Sequence, residues 1–157
     1  MTVTDQIYLS TGGMRPDEVA ARIASVLGMD VLRDEHGVRL LRRETPEAPW
    51  FGGDLDVNGD YVYRPEDHTP DEDSVSDGYD IEWSIGSSSR DEDAIHATSR
   101  DFFDKVAARL PWPALLVEDV QRLKAASRPG TDVVEFPPHT SPDSPGRAVW
   151  EPYALPR

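Results

Sequence analysis

The run Asp54-x-Asp56-x-Asn58-Gly59-Asp60 places side-chain oxygens at the first, third and fifth positions of a would-be calcium loop, with glycine at the sixth, where an EF-hand turns sharply. The match then fails. Position nine is Val62, and position twelve is Pro65 where a bidentate Glu belongs. No helix can enter through Pro49-Trp50-Phe51-Gly52-Gly53. An Asn-Gly β-turn accounts for the same residues, so we assign no metal and no cofactor. The histidines His36, His68, His96 and His139 stand singly, without metal-ligand spacing, and the chain has no cysteine. Ser87, Ser88 and Ser89 lack a nucleophile elbow, and Gly12-Gly13 lacks either phosphate-loop pattern. We assign no catalytic residue and expect no enzyme.

What remains is charge. Between Asp54 and Asp93 lie fourteen carboxylates against Arg64 and Arg90, a local balance of -12 in a chain of net charge -14. Pairs of acids for hydrolysis could be drawn almost anywhere in such a run, and without a set separation they mean nothing. A concentrated like-charge field keeps a protein soluble or serves a cationic partner. It also argues against binding nucleic acid or an anionic membrane, because phosphate contacts need a basic patch. Trp50, Phe51, Tyr61, Tyr63, Tyr79 and Trp83 are interleaved with the acids, and aromatic anchors within a charged rim are the composition of a protein-protein hot spot. Asp54, Asp56, Tyr61, Tyr63, Asp71, Glu72 and Asp73 are the expected partner contacts.

The elements that must carry these residues read as follows. Ile7 to Leu9 form a strand ending at Ser10-Thr11-Gly12-Gly13. A helix follows, with Pro16 in its first turn, Val19, Ile23, Val26 and Leu27 on one face, and Gly28 as its stop. Val31-Leu32 and Val38 to Leu41 flank a turn at Asp34 to Gly37 and predict a hairpin. Residues 44–53 read as linker, and Asn58-Gly59 predicts a second hairpin that sets Asp54 and Asp56 beside Tyr61 and Tyr63. From Pro65 to Gly78 the composition predicts a solvated loop. Tyr79, Ile81, Trp83 and Ile85 alternate as a half-buried strand. Ser89 and Glu92 have capping-box spacing before a long helix bearing Ile95, Phe102, Val106 and Leu110, which Pro111-Trp112-Pro113 ends. Ala114 to Val117 reads as a strand, and Val120 to Leu123 as a strand or a short helix.

The expected fold is α+β: a mostly antiparallel sheet covered on one face by two helices. Residues 1–126 make a single domain. Strand, helix and strand recur in 7–42 and 79–124, a candidate βαββ repeat. Residues 127–157 hold seven prolines and form an extended tail, partly docked through Val133, Val134, Phe136, Trp150 and Tyr153. Nothing near Met1 reads as a signal or a span, so cytoplasmic residence is expected.

The segments IYLSTGG…PDEVAARIASVLG and DFFDKVAARLPWPALLV, with the small size and acidity, resemble the immunity proteins encoded beside bacterial polymorphic toxins. Fourteen arginines against two lysines suit a GC-rich bacterial genome. The resemblance implies an inhibitor that binds a cognate, basic toxin domain and occludes its active site. Two other classes fit the same acids less closely: a nucleic-acid mimic or general interaction module, and a small hydrolase or transferase.

Overall fold

Strand β1 (Asp5–Leu9) turns Ile7 and Leu9 to one side and Gln6 and Tyr8 to the other, and this two-sidedness organises the molecule. A computed structural model describes residues 3–157. The other strands are β2 (Asp30–Asp34), β3 (Gly37–Arg42), β4 (Phe51–Val57), β5 (Ile81–Ser87), β6 (Ala114–Glu118), β7 (Arg122–Ser127) and β8 (Val134–Glu135). They form one sheet in the order β2-β3-β4-β5-β1-β6-β7-β8, with every neighbouring pair antiparallel. The fold is α+β, as composition and patterning predict.

Helices α1 (Pro16–Leu27) and α3 (Glu92–Arg109) cover one face. Val19, Ala20, Ile23 and Leu27 of α1 and Phe102, Phe103 and Val106 of α3 meet Ile7, Leu9, Leu40, Leu55, Trp83 and Ile85 of the sheet in the main core. Trp83 stacks on Phe102 with ring centroids 5.3 Å apart. The stop of α1 is Gly28, whose left-handed backbone lets its N–H reach the Ala24 carbonyl at 2.8 Å. The cap of α3 is Asp91, not Ser89. Asp91 Oδ1 accepts from the Ala94 N–H at 3.2 Å, while Ser89 Oγ, two residues earlier, accepts from the Asp91 N–H. A carboxylate at that position also complements the positive helix end, with Glu92 and Asp93 in the first turn.

The other face is covered over half its width. Tyr8, Leu115, Val117, Leu123 and Ala126 are sealed by Val75 and Tyr79 and by the C-terminal segment, through Phe136, Trp150, Tyr153 and Leu155. That segment holds β8, the short helix α4 (Arg147–Trp150) and two 3-10 turns, with Trp150 buried and its Nε1 donating to the Asp143 carbonyl. Strand, helix and hairpin succeed one another in 5–42 and again in 81–127, and α1 packs on α3. That order alone does not establish a duplication.

Two sequence expectations fail for one reason. Residues 51–53 are not linker but the start of β4, and Asn58-Gly59 does not close a hairpin: Gly59–Val62 is a helical turn, α2. Asn58 is 3% exposed and its side chain donates to the Ser76 and Tyr79 carbonyls, both at 2.9 Å. Its φ of -70° is that of a helix N-cap, where a type I′ turn needs a positive value. Buried hydrogen bonds to residues about twenty positions away decide the conformation, and β4 pairs with β5 instead of with residues 61–63.

Candidate functional site

Register assigns the side chains of the uncovered half-face. Residues directly opposite on neighbouring strands share a face. Val31 opposes Leu40, and Leu40 is in the core, so Asp30, Leu32 and Asp34 point to the far side with Arg39 and Leu41. Arg39 opposes Asp54, and Asp56 opposes Glu82. Across β2 to β5 this face carries Asp30, Asp34, Asp54, Asp56 and Glu82 against Arg39 alone. Asp54 and Asp56, two of the expected contacts, thus sit together on a flat strand surface.

The single guanidinium does not neutralise the row. Arg39 lies 3.1 Å from Asp34 and 3.7 Å from Asp54, all on solvent-exposed side chains where such pairs are worth roughly 0 to 1 kcal/mol. At the inner end, burial pushes the Glu82 carboxyl above the ordinary range, Asp60 and Asp56 push it further, and a hydrogen bond from the Tyr8 hydroxyl at 3.4 Å opposes them. Burial beside Glu82 likewise raises Tyr8. The outer end is apolar: Leu32, Leu41 and Trp50 wall a hollow of about 290 Å³ rimmed by Asp30 and Arg43. Beyond β4, α2 and its C-cap present Val62 and Tyr63, 64% and 69% exposed, with Tyr61 half-exposed. The row of acids thus has exposed apolar groups at both of its ends.

The acidic loop is built differently. Residues 65–72 are mostly exposed, as a solvated loop would be, but the expected loop does not continue to Gly78: after the 3-10 turn Pro70–Glu72 a second, Val75–Gly78, packs inward with Val75 fully buried. Asp73 is consumed internally: His68 Nε2 lies 2.5 Å from its carboxylate and Arg147 Nη2 2.6 Å, with Arg64 at 3.8 Å. These partners, His68 first, hold Asp73 below the ordinary carboxylate range. Ser74 pairs with Asp143, the Val75 N–H donates to the Pro142 carbonyl, and the Tyr79 hydroxyl to the Tyr153 carbonyl. Gly78 lies so close to the Leu155 carbonyl that no Cβ would fit between them. Loop and C-terminal segment order each other.

Of the expected contacts, then, Asp54 and Asp56 come together, Tyr61 and Tyr63 stand on the adjacent turn, and Asp73 faces its own chain. Asp71 and Glu72 stay exposed but receive hydrogen bonds from Thr69, which lowers Asp71. Tyr79 and Trp83 are 1% and 0% exposed and anchor the core, not a partner. The sequence reading missed Asp30, Leu32, Asp34, Leu41 and Glu82. Extending the hairpin alternation 31–41 to its outer face would have found the first four.

Ligand sets elsewhere are already engaged. His68, Asp73 and Asp77 could hold a metal ion, but Arg64 and Arg147 supply cations there. Asn58 turns inward, which dismantles the calcium-like run. Ser87 Oγ donates to the Trp50 carbonyl, Ser88 Oγ accepts from the Trp50 N–H, and His96 Nδ1 lies 2.9 Å from buried Asp5. Asp80 fastens the turn after β1 by accepting from the Thr11 N–H and hydroxyl and the Gly13 N–H. Among the described residues, no helix is long and apolar enough to cross a membrane. No protein-family model matches the chain, and no curated protein or solved structure matches it.

Proposed function

We propose that this chain is a cytoplasmic immunity-type inhibitor that binds a cognate basic toxin domain and occludes its active site. The observation that carries the reading is the uncovered face of β2 to β5, with five carboxylates to one arginine and apolar groups at either end. Like charges held together on a rigid sheet cost folding stability through self-repulsion, a cost that a cationic partner reverses. Complementary fields speed encounter toward roughly 10⁸ to 10⁹ M⁻¹s⁻¹ at low salt, while desolvated apolar anchors govern dissociation. Asp54 and Asp56 steer; Tyr61, Tyr63, Leu32 and Trp50 anchor. Asp71 and Glu72 extend the field from the neighbouring turn.

The test is capture of the partner from the native cytoplasm on the immobilised chain, followed by association kinetics with that partner across salt concentrations. A single tight, basic partner whose association slows steeply with salt supports the proposal. Many weak basic partners, each competed by DNA, would contradict it.

A further inference from the structure

We infer that the outer edge of β2 is a docking site for a cationic β-strand of the partner, which would extend the sheet beside the acidic face. This inference rests on the proposed partner being basic. It concerns how that partner engages. β2 is the first strand of the sheet and pairs only with β3. The turn Glu35-His36 has two residues, so Asp34 and Gly37 close the hairpin as a hydrogen-bonded pair. Alternation then turns the backbone N–H and C=O groups of Asp30, Leu32 and Asp34 toward β3, and those of Val31 and Arg33 outward. Among the described residues, none hydrogen-bonds to those outward groups beyond the strand ladder.

Charge selects the occupant. A second copy could pair with the edge antiparallel about Leu32, with Val31 opposite Arg33 and the outward groups matched. That register sets Asp30 of each copy directly opposite Asp34 of the other, two carboxylate pairs on one face, and like charges placed so are destabilising. A strand with Lys or Arg at those two positions and a β-branched residue between them turns both contacts favourable. Its central side chain lies over Leu32, 47% exposed, beside the hollow walled by Leu41 and Trp50. Main-chain bonds supply affinity and the alternate side chains supply specificity, as in other strand-addition complexes.

The test uses a capped peptide with the core Lys-Thr-Val-Thr-Lys and the same peptide with both lysines replaced by glutamate. Amide exchange of the folded chain is followed residue by residue by NMR. The lysine peptide should slow exchange at Val31 and Arg33 by roughly tenfold or more near saturation, and the glutamate peptide should not. Arg33→Pro removes an outward N–H without breaking the ladder to β3 and should abolish the protection. Asp30→Lys should weaken the lysine peptide and strengthen one carrying glutamate opposite position 30, a swap that does not depend on the proline variant folding. Binding of the lysine peptide with Val31 and Arg33 unprotected would overturn edge pairing while leaving the acidic face intact as a surface. Protection of those amides that rises with protein concentration alone would overturn it in favour of a second copy. A partner that requires Asp54 and Asp56 yet binds Arg33→Pro at full strength would also overturn it.

Discussion

Around Asp73, two guanidiniums and an imidazole converge on carboxylates that would otherwise repel one another. On the outer face of β4 and β5, Asp54, Asp56 and Glu82 share one surface, and the cation paired with them there is Arg39 of the neighbouring β3. Both regions belong to one acidic stretch, and composition does not separate them. The difference lies in what the rest of the chain brings to each. Arg147 arrives from 74 residues away and turns the loop into a structural joint, whereas among the described residues no segment packs over the acidic face of β2 to β4. Compensated acids hold the fold together. The uncompensated ones are those the proposed function assigns to a partner.

That contrast can be broken at several points. The largest effect should come from Trp150→Ala, which removes a fully packed ring from beneath the C-terminal segment and should cost about 3 to 5 kcal/mol in denaturant unfolding. In amide exchange the loosening should appear in residues 65–78 and the C-terminal segment and spare β2 and β3. Equal loosening of both would mean that the halves are not separate.

Next, reversing Asp54 and Asp56 together to lysine should slow association with the proposed basic partner by roughly 10- to 100-fold at low salt and flatten its salt dependence. The same reversal at Asp71 and Glu72, which lie further from the strand face, should cost only about threefold. Stopped-flow measurement of both variants ranks the two regions directly.

A smaller effect is expected from Arg147→Ala, which takes a charged hydrogen bond from Asp73 and one from the Pro70 carbonyl. On a partly exposed pair this should cost about 1 to 2 kcal/mol. Asp73 has a folded pKa below its unfolded value. Its contribution is therefore present above the ordinary aspartate range and lost as pH falls through the depressed folded value. Arg147→Ala should shift that loss to higher pH in a pH series of melting curves.

The smallest effect belongs to Glu82, and its sign is opposite. Its folded pKa lies above the unfolded one, so between the two values the folded state binds more protons and stability falls as pH rises. Glu82→Gln should match the wild type below the ordinary glutamate range and exceed it at neutral pH by a few tenths of a kcal/mol to about 1. A variant less stable at neutral pH would show that Glu82 is compensated by a partner after all.

Where local chemistry decides, the sequence could be read. Pro16 and Gly28 bracket α1, and the turn at Asp34 to Gly37 makes the β2–β3 hairpin plain. Where a distant residue decides, it could not. Asn58-Gly59 is a strong hairpin signal, overruled by the carbonyls of Ser76 and Tyr79. Asp73 looked available because its partner Arg147 lies far down the chain. Trp83 obeys the alternation of β5 and belongs to the main core, whereas Tyr79 precedes the strand and packs with Val75 on the opposite side, a difference that their acidic neighbours concealed. The candidate site was half legible: Asp54 and Asp56 followed from charge and the outer face of Asp30, Leu32 and Asp34 from hairpin alternation, but only the pairing of β3 with β4 sets the two groups side by side.

The most direct measurement is the amide-exchange footprint of the full chain with and without its captured partner. Protection is expected along β2, β4 and the start of β5, with residues 65–78 and the C-terminal segment unchanged. Protection confined to the 65–78 loop and the C-terminal segment, with the strand face exchanging as in the free chain, would contradict it.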